Sequence, residues 1–256
     1  HLLFYSCLAM DMGALTPFFY GFREREMILD IFEDTTGGRL IQNYNVIGGV
    51  QADLHPDFVR KTKEFIVHLR SIIHEYHDIF TKSVIARTRL KGVGLLSRED
   101  AISLGCTGGT GRASGWANDV RKHHPYAMYG KVDFKEITYT HGDAFDRYMV
   151  RMDEIMESCR IIEQLIDNVP EGEFRVKTKP ILKLPEGVFT ASVEASRGEV
   201  GVFLISRGDK TPYRLHYRST GLPLVHAMDT VCRGGKIADL IAIGGTMDFV
   251  IPDIDR

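Results

Sequence analysis

The side chains able to do chemistry are scattered. Ten histidines and four cysteines are spread through 256 residues. Cys7, Cys106, Cys159 and Cys232 lie far apart, and no CxxC or Cys/His pair has the spacing of a zinc site. Buried thiols in a reducing compartment are the expectation. His68, His74 and His77 fall on one long segment, but not as HExxH, and read as surface histidines. No GxSxG is present, nor GxGxxG after a strand. The densest concentration of reactive types is Gly105 to Tyr129, GCTGGTGRASGWANDVRKHHPYAMY. It holds five glycines within eleven residues, the cations Arg112 and Arg121, the acid Asp119 and the only tryptophan, Trp116. Glycines at that density let a chain turn tightly or approach something closely. Arginine among them can anchor the backbone through its five donors. Two readings stay open: a structural loop tied down by Arg112 and Asp119, or a loop shaped to face a cofactor or partner. GGTGR is not a phosphate loop, because no Lys-Ser/Thr pair follows it.

The elements that must position this stretch are mostly helices. His1 to Met12 is apolar all round, as in the core of a bundle. Asp11, Gly13 and Pro17 interrupt the apolar run to Phe22, which argues against a membrane span. A second helix is predicted from Thr16 as N-cap and Pro17 as first residue to about Thr35, with RERE (Arg23 to Glu26) as a charged face. Residues 39–56 read as irregular. Apolar residues at helical spacing predict long helices at 57–82 and 142–168, with Arg147, Arg151 and Glu154 flanking the apolar stripe of the latter. Ser97 and Asp100 form a capping box for a short helix that ends at Gly105. Near Pro170 the period changes from 3.6 to 2. Val188–Ala195, Val200–Ser206 and Tyr213–Arg218 then read as an antiparallel meander, with strands confined to about 173–218. A last helix is expected from Thr230 to about Ile243. The tail MDFVIPDIDR is too apolar to dangle, and Pro252 favours an extended path back into the helical core, toward the end of the first helix that carries His1.

The resulting fold class is α+β, mainly α: a long-helix bundle over 1–170, with the meander, a final helix and a buried tail over 171–256 as part of the same domain. Composition is ordinary for a folded protein, with 44% hydrophobic and 26% charged residues. A net charge of −2 gives no nucleic-acid footprint. The chain starts with His1 inside an apolar pattern, which suggests a fragment whose N-terminal portion is missing.

Several long motifs resemble one family. HLLFYSCLAMDMGALTPFFYGFREREMILDIFE (His1 to Glu33) is similar to the opening signature of the 49-kDa-type subunit of respiratory complex I, NADH:quinone oxidoreductase. The likeness continues through GGVQADL (Gly48 to Leu54), RLKGVGLLSREDAISLGCTG (Arg89 to Gly108) and RASGWANDVRKHHPYAMY (Arg112 to Tyr129). It extends through HGDAFDRYMVRMDEIMESCRIIEQ (His141 to Gln164), VEASRGEVGVFLISRGDKTPYRLHYR (Val193 to Arg218) and IADLIAIGGTMDFVIPDIDR at the end. The resemblance implies the bundle of the nickel–iron hydrogenase large subunit, without its metal cysteines. It implies a peripheral subunit on the cytoplasmic face of a bacterial inner membrane, in a complex that oxidises NADH on another subunit and pumps protons. Quinone would be reduced in a chamber shared with the subunit that holds the terminal iron–sulfur cluster. His1 matches a histidine beside that cluster, and Val250 and Asp255 match chamber positions. Partners would be the other complex I subunits, above all the terminal-cluster subunit and the membrane arm. No metal or cluster would belong to this chain, and the isolated fragment would be inactive. A rival expectation is a structural subunit of a hydrogenase-like or other donor-linked complex with no quinone role. Three local departures from the family pattern stand at Gly108–Arg112, Ser219–His226 and Pro252–Arg256.

Overall fold

In a computed structural model, residues 1–179 and 181–255 are described. The chain opens with α1 (Leu2–Asp11), in which Leu2, Phe4, Tyr5, Leu8 and Ala9 are all buried. A helix without a polar face is stable only when other elements surround it, and α1 packs against α2 (Leu15–Thr36) and two later helices. The second helix begins two residues earlier than its sequence suggests. Ala14, in extended conformation, is the N-cap, so Thr16 caps nothing and Pro17 is the third helical residue. Proline is tolerated there because the first-turn N–H groups have no acceptor inside the helix. Gly37, at φ 75°, closes the helix in left-handed conformation.

A two-residue hairpin, β1 (Asn45–Val46) and β2 (Gly49–Val50), interrupts the irregular stretch that follows. Its Gly49 bridges to Arg175, so strand structure is not confined to the later half of the chain. The first long helix is α3 (Phe58–Tyr76), which passes directly into a π-helical turn at His77–Thr81. That turn carries Phe80 and Thr81 into the core. Phe80 meets the Tyr148 ring at 5.5 Å, and Thr81 Oγ1 and the Tyr148 hydroxyl share a 2.6 Å hydrogen bond. Tyr76 stacks on Tyr5 at 4.6 Å. Its hydroxyl donates to Glu24 at 2.5 Å. Glu24 is therefore not on a solvated charged face, as RERE suggests. It is fully buried, with Arg23 and His68 also bonded to it.

Short helices α4 (Val84–Leu90), α5 (Arg98–Leu104), α6 (Gly108–Ala113) and α7 (Val120–His123) lead to the second long helix, α8 (Ala144–Leu165). The Ser97–Asp100 box forms: Asp100 N donates to Ser97 Oγ at 3.0 Å, and Ser97 Oγ to the Asp100 carboxylate at 2.7 Å. The glycine-rich stretch is not a loop. Gly108 to Ala113 is a buried helix, despite glycine's poor helix propensity. Packing explains this: a Cβ on Gly111 would collide with the Cys106 carbonyl and lie 3.1 Å from Trp116.

The meander is β3 (Gly187–Ala195), β4 (Gly198–Ser206) and β5 (Arg214–Arg218), antiparallel in that order. Its register, Val193↔Val200, Ala191↔Val202 and Phe189↔Leu204, with Leu215 and Tyr217 beyond, puts apolar residues on one face. Glu194, Glu199 and Arg218 occupy the other face, which turns toward the helices. The hairpin tip closes on α6, where a Cβ on Gly108 would meet Gly198 Cα at 2.5 Å.

After the sheet the chain departs from its expected course. In place of one helix over 230–243 there are α9 (Gly221–Cys232), a break and α10 (Asp239–Met247). Pro223 sits harmlessly in the first turn of α9, and Gly234, at φ 74°, makes the break. Pro252 does not hold the tail extended either. It occupies the first turn of a four-residue helix, α11 (Ile251–Ile254). The Asp253 carboxylate ties α11 to the start of α9, accepting from Ser219 Oγ (2.8 Å), Thr220 Oγ1 (2.8 Å) and Gly221 N (2.7 Å).

Candidate functional site

The helical fold of the glycine-rich stretch delivers Arg112 from α6 to the face of α8, 2% exposed. Its guanidinium is held between two carboxylates. Nε and Nη2 reach Glu154 Oε1 at 2.9 and 2.7 Å, and Nη1 reaches Glu194 Oε1 at 2.8 Å. Glu154 comes from α8 and Glu194 from β3, so one side chain joins helix, bundle and sheet. The other Glu154 oxygen stands 2.9 Å from His1 Nε2. Burial pushes the Glu154 carboxyl up, but Arg112 and His1 outweigh it and hold it down at about 2. At Glu194 the balance differs: burial prevails over Arg112 and its carboxyl is raised. Burial works against the Arg112 cation, yet the two carboxylates raise its pKa above the ordinary arginine value.

Asp119 is also buried, but its partner is Arg121, with Nη2 at 2.6 Å, and its carboxylate accepts the Arg121 backbone N–H at 2.9 Å to cap α7. Arg112 and Asp119 thus anchor neighbouring segments through different partners. His1, Arg112, Arg121, Glu154 and Glu194 line a cavity of about 190 Å³, whose rim includes Lys135, Glu157 and Ser158.

The tail residues lie elsewhere. α10 packs on α1 and α8, and a Cβ on Gly245 would lie 2.9 Å from Leu8. It is α10, not the tail, that returns to α1, beside Leu8 and about 10 Å along the helix axis from His1; the tail helix α11 packs on α9 instead of reaching the His1 end of α1. Phe249 packs against the apolar cluster that includes Leu224 and Met247, Val250 is half-buried as the N-cap of α11, and Asp255 is exposed. No side-chain hydrogen bond or ion pair engages Asp255 among the described residues; Arg256, also part of the expected tail contacts, lies outside them.

Sequence reasoning missed a second polar centre. Arg147 and Arg151 do not flank the stripe on α8; both are fully buried. Arg147 donates to the carbonyls of Gly94 and Gly142, each at 2.9 Å, and Arg151 to those of Arg147 (2.7 Å) and Thr246 (3.1 Å). Asp248, at φ 57°, closes α10 and stands 3.5 Å from Arg151 and 3.1 Å from Arg197 of the β3–β4 turn. The available signal was their spacing: 147, 151 and 154 share a helix face. Among the described residues no group of three or more His, Cys, Asp or Glu could hold a metal ion, and the four cysteines are free.

Residues 11–256 match the family model of the respiratory-chain NADH dehydrogenase 49 Kd subunit. The chain belongs to this family. Its relatives include the NADH-quinone oxidoreductase C/D subunit of Bacteroides fragilis, 77% identical over all 256 residues, which cover 48% of that protein. The corresponding D subunit of Desulfotalea psychrophila is 44% identical over the whole chain and 69% of its own length. The chain thus spans about half the length of the C/D relatives. Among solved structures, one polypeptide of the membrane-bound sulfane sulfur reductase, an archaeal respiratory membrane complex, superposes with a TM-score of 0.94 at 33% identity, over all of this chain and 70% of the other. The 49 Kd family assignment accounts for the helical bundle with its small antiparallel sheet. No described helix is long and apolar enough to cross a membrane.

Proposed function

We propose that the chain is a component of a proton-pumping NADH:quinone oxidoreductase, where it forms one wall of the quinone-reduction chamber beside a partner's terminal iron–sulfur cluster. It would sit peripherally, on the cytoplasmic side of a bacterial inner membrane, against the cluster-bearing subunit and the membrane arm. NADH is oxidised elsewhere in such a complex, and two electrons with two protons convert quinone to quinol. The observation that carries this reading is the setting of His1. Its imidazole is fixed by a buried, ionised carboxylate at the edge of a polar cavity, on the α1–α8 core against which α10 packs. A histidine so held keeps one ring nitrogen engaged and presents a fixed dipole to a neighbouring redox group, which tunes its potential. Val250 would contact the quinone and Asp255 would hydrogen-bond within the chamber, while Arg112 and Asp119 keep the wall rigid.

The test is Val250→Met in the complete complex. A several-fold change in quinone KM or in sensitivity to quinone-site inhibitors, with cluster spectra unchanged, supports the assignment. Unaltered kinetics and inhibition remove Val250 from the chamber. A second reading draws on the sulfane sulfur reductase neighbour: a wall of the same shape in a donor-linked membrane complex without quinone. Assaying the purified complex for NADH-driven reduction of quinone against that of polysulfide separates the two.

A further inference from the structure

Around its hairpin tip one face of the β3–β4–β5 sheet turns toward the helical body: Glu194 meets Arg112, Glu199 N meets Thr107 and Arg218 donates to the Gly105 carbonyl. The opposite face carries only apolar side chains from the Val193↔Val200 pair to the Phe189↔Leu204 pair. Phe189, Val193, Leu215 and Tyr217 on it are 42–48% exposed, and no residue of the sheet belongs to any of the three apolar clusters of the described residues. Sheets of this kind bury one face against a further layer about 10 Å away. Here that layer is not supplied by the described residues, and a contiguous apolar patch of this kind marks an interaction site.

Charge narrows the occupant. Residues 172–218 hold nine Lys or Arg and five Asp or Glu, in a chain whose net charge is −2. Arg197 and Arg218 of this set are engaged with the helical body. Lys183, Arg207 and Lys210, at the far end of the sheet, are exposed, and among the described residues none of them is in an ion pair. Arg207 lies over the Tyr213 ring, which continues the apolar face at that end. The surface is pleated, with Val200 and Val202 in its middle strand, a form that suits a packed helix or strand layer.

We propose that this face docks a second polypeptide, whose helix or sheet covers the apolar strands and whose carboxylates meet Lys183, Arg207 and Lys210. The inference is independent of the quinone assignment. It is tested in the assembled membrane complex with a photoreactive benzoylphenylalanine at Leu215 and, separately, at Val193. The expected result is that both positions crosslink to one co-purifying polypeptide of different sequence, in a segment where acidic residues border apolar ones. Adding Lys183→Glu with Arg207→Glu should cut the yield several-fold. Crosslinks to lipid, to a second copy of this chain or to the chain itself overturn the proposal. So does the absence of any crosslink, or a yield indifferent to the charge reversals.

Discussion

Arg112 and Arg147 are equally withdrawn from water, yet they are compensated by different kinds of partner. Arg112 has two carboxylates against it. Arg147 has carbonyl oxygens and the Thr246 hydroxyl, and its Nη2 has no partner. Their pKa values move apart accordingly. Burial opposes both cations, but Glu154 and Glu194 reverse its effect at Arg112, whereas at Arg147 burial and the neighbouring Arg151 act together and bring it down to about 10. Arg151 is lowered as well, by burial first, with Asp248 in partial opposition, and its guanidinium lies 4.5 Å from the Phe4 ring centroid. Carbonyl and hydroxyl acceptors therefore hold these buried guanidiniums in place without neutralising them, and leave Arg147 Nη2 unpaired. The cluster that joins sheet to bundle sets two carboxylates against its buried guanidinium, whereas inside the bundle two buried guanidiniums have carbonyls and only Asp248 nearby.

This contrast gives its largest effect on truncation. Arg112→Ala leaves two buried carboxylates facing each other and should cost about 3–5 kcal/mol. Thermal unfolding of the variant checks it, and an unchanged melting temperature breaks the comparison at its stronger end. The pH dependence comes next. Glu154 titrates at about 2 in the fold against an ordinary 4.5. Its contribution is therefore complete above pH 4.5 and is lost as pH falls toward 2, an amount of about 3 kcal/mol by linkage. Glu194, raised by burial, contributes with the opposite sign, so the diagnostic quantity is the difference between wild type and Glu154→Gln. The variant should lose stability less steeply on acidification, and parallel curves would falsify the assignment of the low pKa to Glu154. Arg147→Met should cost less than Arg112→Ala, about 1–2 kcal/mol, because it strands carbonyls rather than charges. A larger loss at Arg147 than at Arg112 would reverse the lesson. The smallest effect, about 1 kcal/mol or less, is expected from Arg121→Gln, since Arg121 reaches solvent and Asp119 keeps its backbone donor.

The sequence announced the elements whose signal is local. The apolar period of α3 and α8, the Ser97 cap and the two-residue alternation of the meander are all properties of a short window. What it concealed depends on distant partners. Glu24 looks like one charge in a solvated row until Tyr76, 52 positions on, places a hydroxyl against it. Gly108 to Ala113 looks like a loop because propensity disfavours a helix there, and only the closeness of Cys106 and Trp116 makes the missing side chains an advantage. The same holds for the site. Arg112 and Asp119 were legible as buried anchors from charge among glycines, but their partners Glu154, Glu194 and Arg121 were not. The double arginine of α8 gave only a spacing on one helix face, which surface ion pairs share. The outward apolar face of the sheet can be counted off the strands, but which face meets the helices is decided by Glu194 and Arg218.

Gly108 and Gly198 meet where the hairpin tip touches α6, and both hold left-handed φ values, 70° and 133°. Mechanically this seam is a fulcrum. The nine-residue strands β3 and β4 extend about 30 Å from it. A methyl group inserted at either glycine would act as a wedge at the short end of that arm, displacing the far end by more than its own thickness. The angle at which the sheet meets whatever lies beside it is thus set by two positions that carry no side chain.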